Sequence, residues 1–109
     1  MENKVKRNVQ HLKESGAPII IVGAVQESEA VAYACRDIGV VVSAFCDSEP
    51  RNAEDPFCGL EVIHTPTLPK RFSKARFIIG CQHVQDVVEQ LTGLGYNEFY
   101  SPLELLESY

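Results

Sequence analysis

Pro18-Ile19-Ile20-Ile21-Val22-Gly23 sets four β-branched residues in a row between a proline and a glycine. An unbroken apolar run of this length predicts a strand buried on both faces, as strands of parallel sheets are. The residues that follow extend the pattern. Ala30, Val31, Ala34, Cys35 and Ile38 recur at helical spacing and Gly39 stops the helix. Ser28 or Glu27 opens it, and acidic residues in its first turn suit the helix dipole. Val40-Val41-Val42-Ser43-Ala44-Phe45 then predicts a second buried strand, ending at Cys46-Asp47-Ser48. Strand, helix and strand fill about 30 residues, the size of a βαβ unit.

Working towards the carboxyl terminus, residues 47–57 are polar and proline-bearing and predict a surface loop. Leu60-Glu61-Val62-Ile63 alternates in character, as a strand at a sheet edge does. Thr65-Pro66-Thr67-Leu68-Pro69 predicts a turn that opens a short helical turn, and Arg76-Phe77-Ile78-Ile79-Gly80 another buried strand. Residues 83–94 place Val84, Val87, Val88, Leu91 and Leu94 on one helical face, with Gly93 and Gly95 at its end. A last short strand is expected over Tyr96–Tyr100, and a helical turn over Pro102–Leu106. Towards the amino terminus, Val5, Val9 and Leu12 form a narrow helical stripe and Gly16 a C-cap, so residues 1–16 are expected to form an amphipathic helix against the domain or another subunit. The competing reading is a frayed basic tail.

Alternating strands and helices imply an α/β fold: a three-layer Rossmann-like domain over residues 17–109, with a mostly parallel sheet of about five strands and helices on both faces. Strand order 3-2-1-4-5 is the simplest arrangement, and 2-1-3-4-5 is its main competitor.

Composition narrows the function classes. The 109 residues carry a formal net charge of −5, split between +2 over residues 1–16 and −7 over the rest. An acidic body argues against a nucleic-acid partner, although backbone amides can still hold a single small nucleotide. No apolar run reaches the roughly 20 residues that cross a bilayer, and the first residues lack the apolar core of a signal peptide, so no membrane association and a cytoplasmic location are expected. Cys35, Cys46, Cys58 and Cys81 include no C-x-x-C pair and are expected to be free thiols.

Ligands of such sheets sit beyond the carboxyl ends of the strands, where the strand order reverses. The residues there are Gly23-Ala24-Val25-Gln26, Cys46-Asp47-Ser48, His64, and Gly80-Cys81-Gln82-His83. The first of these loops opens a helix and is the natural phosphate site. A dinucleotide fingerprint needs G-x-G-x-x-G, and here Val25 and Ser28 replace the second and third glycines. Bound NAD is therefore the less favoured cofactor, and a simple tight turn at Gly23 is the alternative. Asp47 follows Gly23 by 24 residues, near the offset at which an acid accepts ribose hydroxyls, though aspartate also opens loops for local reasons. Cys81-x-His83 is closer than the spacing of paired zinc ligands, so no metal is expected. His83 starts a helix facing the crevice, and Cys81 would gain acidity from that helix end, but no partnered acid–base set completes a catalytic signature.

Taken together, Ile19–Ala24, Phe45-Cys46-Asp47-Ser48-Glu49-Pro50 and Gly59-Leu60-Glu61-Val62-Ile63 resemble the Rossmann-like nucleotide-sugar-binding domain at the front of sugar acetyltransferases and related polysaccharide-biosynthesis proteins. The resemblance runs over about residues 18–105, and Leu94-Gly95-Tyr96 at its end is also similar. It implies that Gly23, Ala24, Val25 and Gln26 contact phosphate or uracil-ribose and that Asp47 contacts the nucleoside. From their place at the strand ends, Ser48 is expected beside Asp47 as a cofactor contact, and Gly80, Cys81, His83 and His64 as substrate contacts. The chain departs from that pattern at Val25, and no hexapeptide-repeat acyltransferase domain is expected to accompany it. The expectation is thus a nucleotide or nucleotide-sugar binding module, accessory or regulatory to a separate enzyme or acting as a homodimer. Two other readings stand beside it: an interaction domain that has lost its ligand, and a small enzyme using Cys81 and His83.

Overall fold

The computed structural model describes residues 5–6, 12–13, 16–49 and 55–107. The described elements run β1 (Val5–Lys6), β2 (Ile19–Val22), α1 (Gln26–Asp37), β3 (Ala44–Asp47), β4 (Val62–His64), a 3-10 helix (Thr65–Lys70), β5 (Arg76–Ile79), α2 (Val84–Gly93), β6 (Phe99–Tyr100) and α3 (Leu103–Glu107). The strands form one sheet in the order β1-β6-β5-β2-β3-β4, every pair parallel. From β2 onward this is the 3-2-1-4-5 order. The chain leaves β2 towards β3 and β4, then returns to β5 on the other side of β2, so the direction of winding reverses between β2 and β5.

Side-chain alternation divides the core between the two faces of the sheet. Ile19, Ile21, Phe45, Ile78 and Tyr100 point to one face, where Val31, Ala34 and Cys35 of α1 and Leu105 of α3 cover them. Ile20, Val22, Cys46, Phe77, Ile79 and Phe99 point to the other, against Leu68 of the 3-10 helix and Leu91 of α2. The central run Ile19–Val22 is buried at all four positions, as a doubly covered strand requires.

Both long helices end in the same device. Gly39 and Gly95 adopt positive φ, +84° and +100°. Gly39 N–H bonds Arg36 O and Val40 N–H bonds Cys35 O; Gly95 N–H bonds Thr92 O and Tyr96 N–H bonds Leu91 O. These are paired Schellman bonds, with the buried contacts Val40–Cys35 and Tyr96–Leu91 closing the cap.

The first of these caps corrects the second strand. The Val40–Phe45 run predicts a strand, but the observed strand is Ala44–Asp47. Val40 is committed to capping α1, Val41 is 81% exposed, and pairing starts only where Ser43 N–H reaches Ile19 O. β4 likewise begins at Val62 rather than Leu60, because Leu60 exchanges both backbone bonds with Phe57 in a tight local turn. At the amino terminus, Val5 and Lys6 form a strand alongside Phe99 and Tyr100 rather than helix. Leu12 is buried in the α1-side core, and residues 1–4, 7–11 and 14–15, on which the rest of the expected helix falls, lie outside the described residues.

Candidate functional site

Where the winding reverses, the carboxyl ends of β2, β3 and β5 enclose a crevice of about 470 Å³. That volume lies within the range of small-molecule sites. Its floor and first wall are Val22, Gly23 and Val25. Asp47, Ser48 and Glu49 form the second wall with Thr65, and Cys81, His83, Asp86, Val87 and Gln90 the third.

The turn after β2 is held from both sides. Gly23, at φ +98°, donates its N–H to Cys46 O at 2.7 Å. A Cβ at this position would lie 2.9 Å from Cys81 Cβ, so a glycine is needed for conformation and for space alike. The Ala24 amide is bonded to Asp47 Oδ2 at 2.8 Å, and Glu49 N–H to Asp47 Oδ1 at the same distance. Asp47 is only 7% exposed. It ties the β2 turn to the end of β3 and shapes its own loop.

Helix α1 starts on Val25, whose backbone is extended (φ −128°, ψ 165°) and whose side chain supplies no cap. Ser28, in the third glycine's place, is buried; its N–H bonds Val25 O at 2.9 Å and its hydroxyl reaches Val22 O at 3.5 Å. The close helix–strand approach that a third glycine normally permits is provided instead by Gly80, directly after the neighbouring strand β5. A Cβ on Gly80 would collide with Ser28 Oγ and stand 3.1 Å from Ser28 Cβ. Sequence spacing within the β2–α1 turn does not reveal this exchange, because the compensating glycine follows another strand.

Of the residues expected at the site, Gly23, Val25, Asp47, Ser48, Cys81 and His83 line the crevice. Ala24, Gln26, His64 and Gly80 are not among the residues of its wall: Ala24 packs against the α1-side core with its amide bonded to Asp47, and Gly80 packs on Ser28 and Ile21. Val22, Thr65, Glu49, Asp86, Val87 and Gln90 join the wall without having been anticipated. The 3.6-residue repeat places Val87 and Gln90 one turn apart, and the Val84–Gly93 helix could have yielded both. Glu49 and Thr65 carry no such signal.

The thiols are free, as expected. Burial pushes Cys46 up to about 12 and Cys35 up to about 11. Cys81 is also raised, chiefly by partial burial and further by the carboxylates of Asp47 and Glu27, against the lowering pull of the His83 and Cys81 amides. The helix-end acidification expected at Cys81 is thus outweighed. Cys58 is exposed and lies near Glu29 and Arg36 of α1 rather than at the carboxyl edge. Among the described residues no three His, Cys, Asp or Glu side chains converge as a metal site, and no helix is long and apolar enough to span a membrane.

No protein-family model matches the chain, and no curated protein matches it in sequence. Among solved structures it is similar to the crystal structure of RSP, a Rex-family repressor, at TM-score 0.65 and 18% identity over 85% of this chain. The chain spans 47% of that protein. The likeness establishes the Rossmann-like fold.

Proposed function

We propose that the chain is a small binding module for a nucleotide or nucleotide sugar, seated in the crevice between the ends of β2, β3 and β5, and that it serves a separate enzyme or partner as an accessory or regulatory subunit. The observation that carries this reading is the crevice itself. It opens at the reversal of strand order, where ligands of open α/β sheets bind. One wall presents the buried Asp47 and the exposed Ser48 to a sugar's hydroxyls, and Val25 and Val87 offer apolar surface for a base. His83 and Cys81 close the third side as contact residues. The repressor that shares the fold is a regulatory protein, which fits a regulatory role here.

A thermal-shift panel of uridine, cytidine, adenosine and guanosine ligands, from nucleoside to nucleotide sugar, tests the proposal. A saturable rise in Tm with at least one series, lost in Val25→Glu, is the expected result. No rise with any of them would overturn it.

The enzyme reading rests on Cys81 and His83 side by side. It requires a thiol that ionises readily, and burial moves Cys81 the other way. Titration of the four thiols separates the two readings: one cysteine ionised well below pH 8 would favour the enzyme.

A further inference from the structure

The three glycines of a dinucleotide turn have separate roles. The first makes the tight turn, the second lets the backbone approach the pyrophosphate, and the third lets the helix pack close on the strand. In this chain both roles that serve the fold are kept. Gly23 makes the turn at φ +98°, where a Cβ would stand 2.9 Å from Cys81 Cβ. The close seat of α1 is kept by Gly80, whose missing side chain leaves room for buried Ser28. The role that serves a ligand is the one given up. Val25 stands in the second glycine's place, lines the crevice and precedes α1 with an extended backbone (φ −128°, ψ 165°) open to any residue.

Resting on the reading that the crevice holds a nucleotide, and narrowing it, we infer that Val25 determines specificity by bulk: the crevice takes a single nucleoside, free or with an unbridged phosphate, and excludes ligands whose diphosphate is bridged at both ends. Dinucleotides and nucleotide sugars are both of the excluded kind. A bridging diphosphate carries a group on each side, so in this fold it lies along the turn, against the backbone of the second position. The isopropyl group of Val25 occupies that approach. A β-branched side chain has few χ1 alternatives, which limits its freedom to swing aside. An unbridged phosphate has a free end and is not held to that path.

Isothermal titration of the full chain with ligands matched in base tests the inference: AMP against NAD, UMP against UDP-glucose, GMP against GDP-mannose and CMP against CDP-choline. A bridging diphosphate carries about two negative charges, close to the charge of one terminal monoester at neutral pH, so each pair differs in bulk at the turn rather than in phosphate charge. The monophosphate of the preferred base should bind tighter than its bridged partner by about tenfold or more, the effect of one unrelieved side-chain clash. Val25→Gly should close most of that gap, and glycine is tolerated before a helix, so the fold survives the change. Val25→Thr, which keeps the branched shape, should leave the gap open. A bridged ligand that binds the unaltered chain as tightly as its monophosphate, or a gap that Val25→Gly leaves as wide as before, overturns this inference and leaves the proposed function standing. Absence of binding by every member of the panel overturns both.

Discussion

The buried side chain of Ser28 fills the space that a side chain at Gly80 would need. A Cβ built on Gly80 meets Ser28 Oγ and Cβ and comes within 3.2 Å of Ile21 Cγ2. Helix α1 can therefore sit close on the sheet although its own turn has only one of the three fingerprint glycines. Gly80→Ala should destabilise the fold by about 1–3 kcal/mol, the range for overpacking a dense interior. Gly80→Ala combined with Ser28→Ala should recover part of that loss, since the hydroxyl is the nearest obstacle; denaturant unfolding measures both. Strict additivity of the two substitutions would show that the residues do not compete for the same space.

Asp47 bonds two backbone amides from a buried position. In Asp47→Asn one of its two oxygens becomes an NH₂ group, which faces a donor with a donor. An unpaired donor in this setting costs about 1–3 kcal/mol. The midpoint of urea unfolding should fall accordingly, with its slope unchanged. An unaltered midpoint would mean that the turn holds its shape without the carboxylate.

Leu12 is 3% exposed and packs in the α1-side core, and Val5 lies beside Phe99 at the sheet edge. Leu12→Ala should cost about 2–5 kcal/mol, as large-to-small core changes do. Removing residues 1–16 should cost at least as much and expose the edge of β6 to self-association, readable by size-exclusion chromatography. Unchanged stability and elution would show that this segment is dispensable.

The Cys46 thiol is pushed up to about 12 from an ordinary 9.0 by burial, and Cys35 to about 11. Folded chains then keep these protons at a pH where unfolded chains lose them. The folded state binds more protons between pH 9 and 12, so stability falls as pH rises through that window. In Cys46→Ala the slope of stability against pH should be shallower there, whatever the substitution does to absolute stability. Thiol labelling at neutral pH should modify exposed Cys58 first and reach Cys35 and Cys46 only on unfolding.

Most of the architecture was legible because it depends on local signals. The Ile19–Val22 run, the glycine stops at Gly39 and Gly95 and the Val84–Gly93 repeat each encode their element within a dozen residues. What escaped depends on partners far along the chain. Val40 to Val42 have the composition of a strand, yet Val40 is taken by the α1 cap and pairing with β2 starts at Ser43. Val5 carries helical spacing with Val9 and Leu12, yet lies in a strand beside Phe99, which is 94 residues away. The same holds at the site. Gly23, Asp47 and His83 follow from strand ends, whereas the occupied Ala24 amide and the substitution of Gly80 for a turn glycine exist only once β2, β3 and β5 are side by side.

The central claim is that the crevice beyond Gly23 is where this protein meets its ligand, and amide chemical-shift mapping tests it most directly. On titration with the ribonucleosides and their phosphates, shifts should saturate and cluster at Val22–Val25, Asp47–Glu49 and Cys81–Val87. Spectra that do not change with any of them, or shifts confined to the opposite edge of the sheet around Ala17, Ser43 and Arg76, would contradict it.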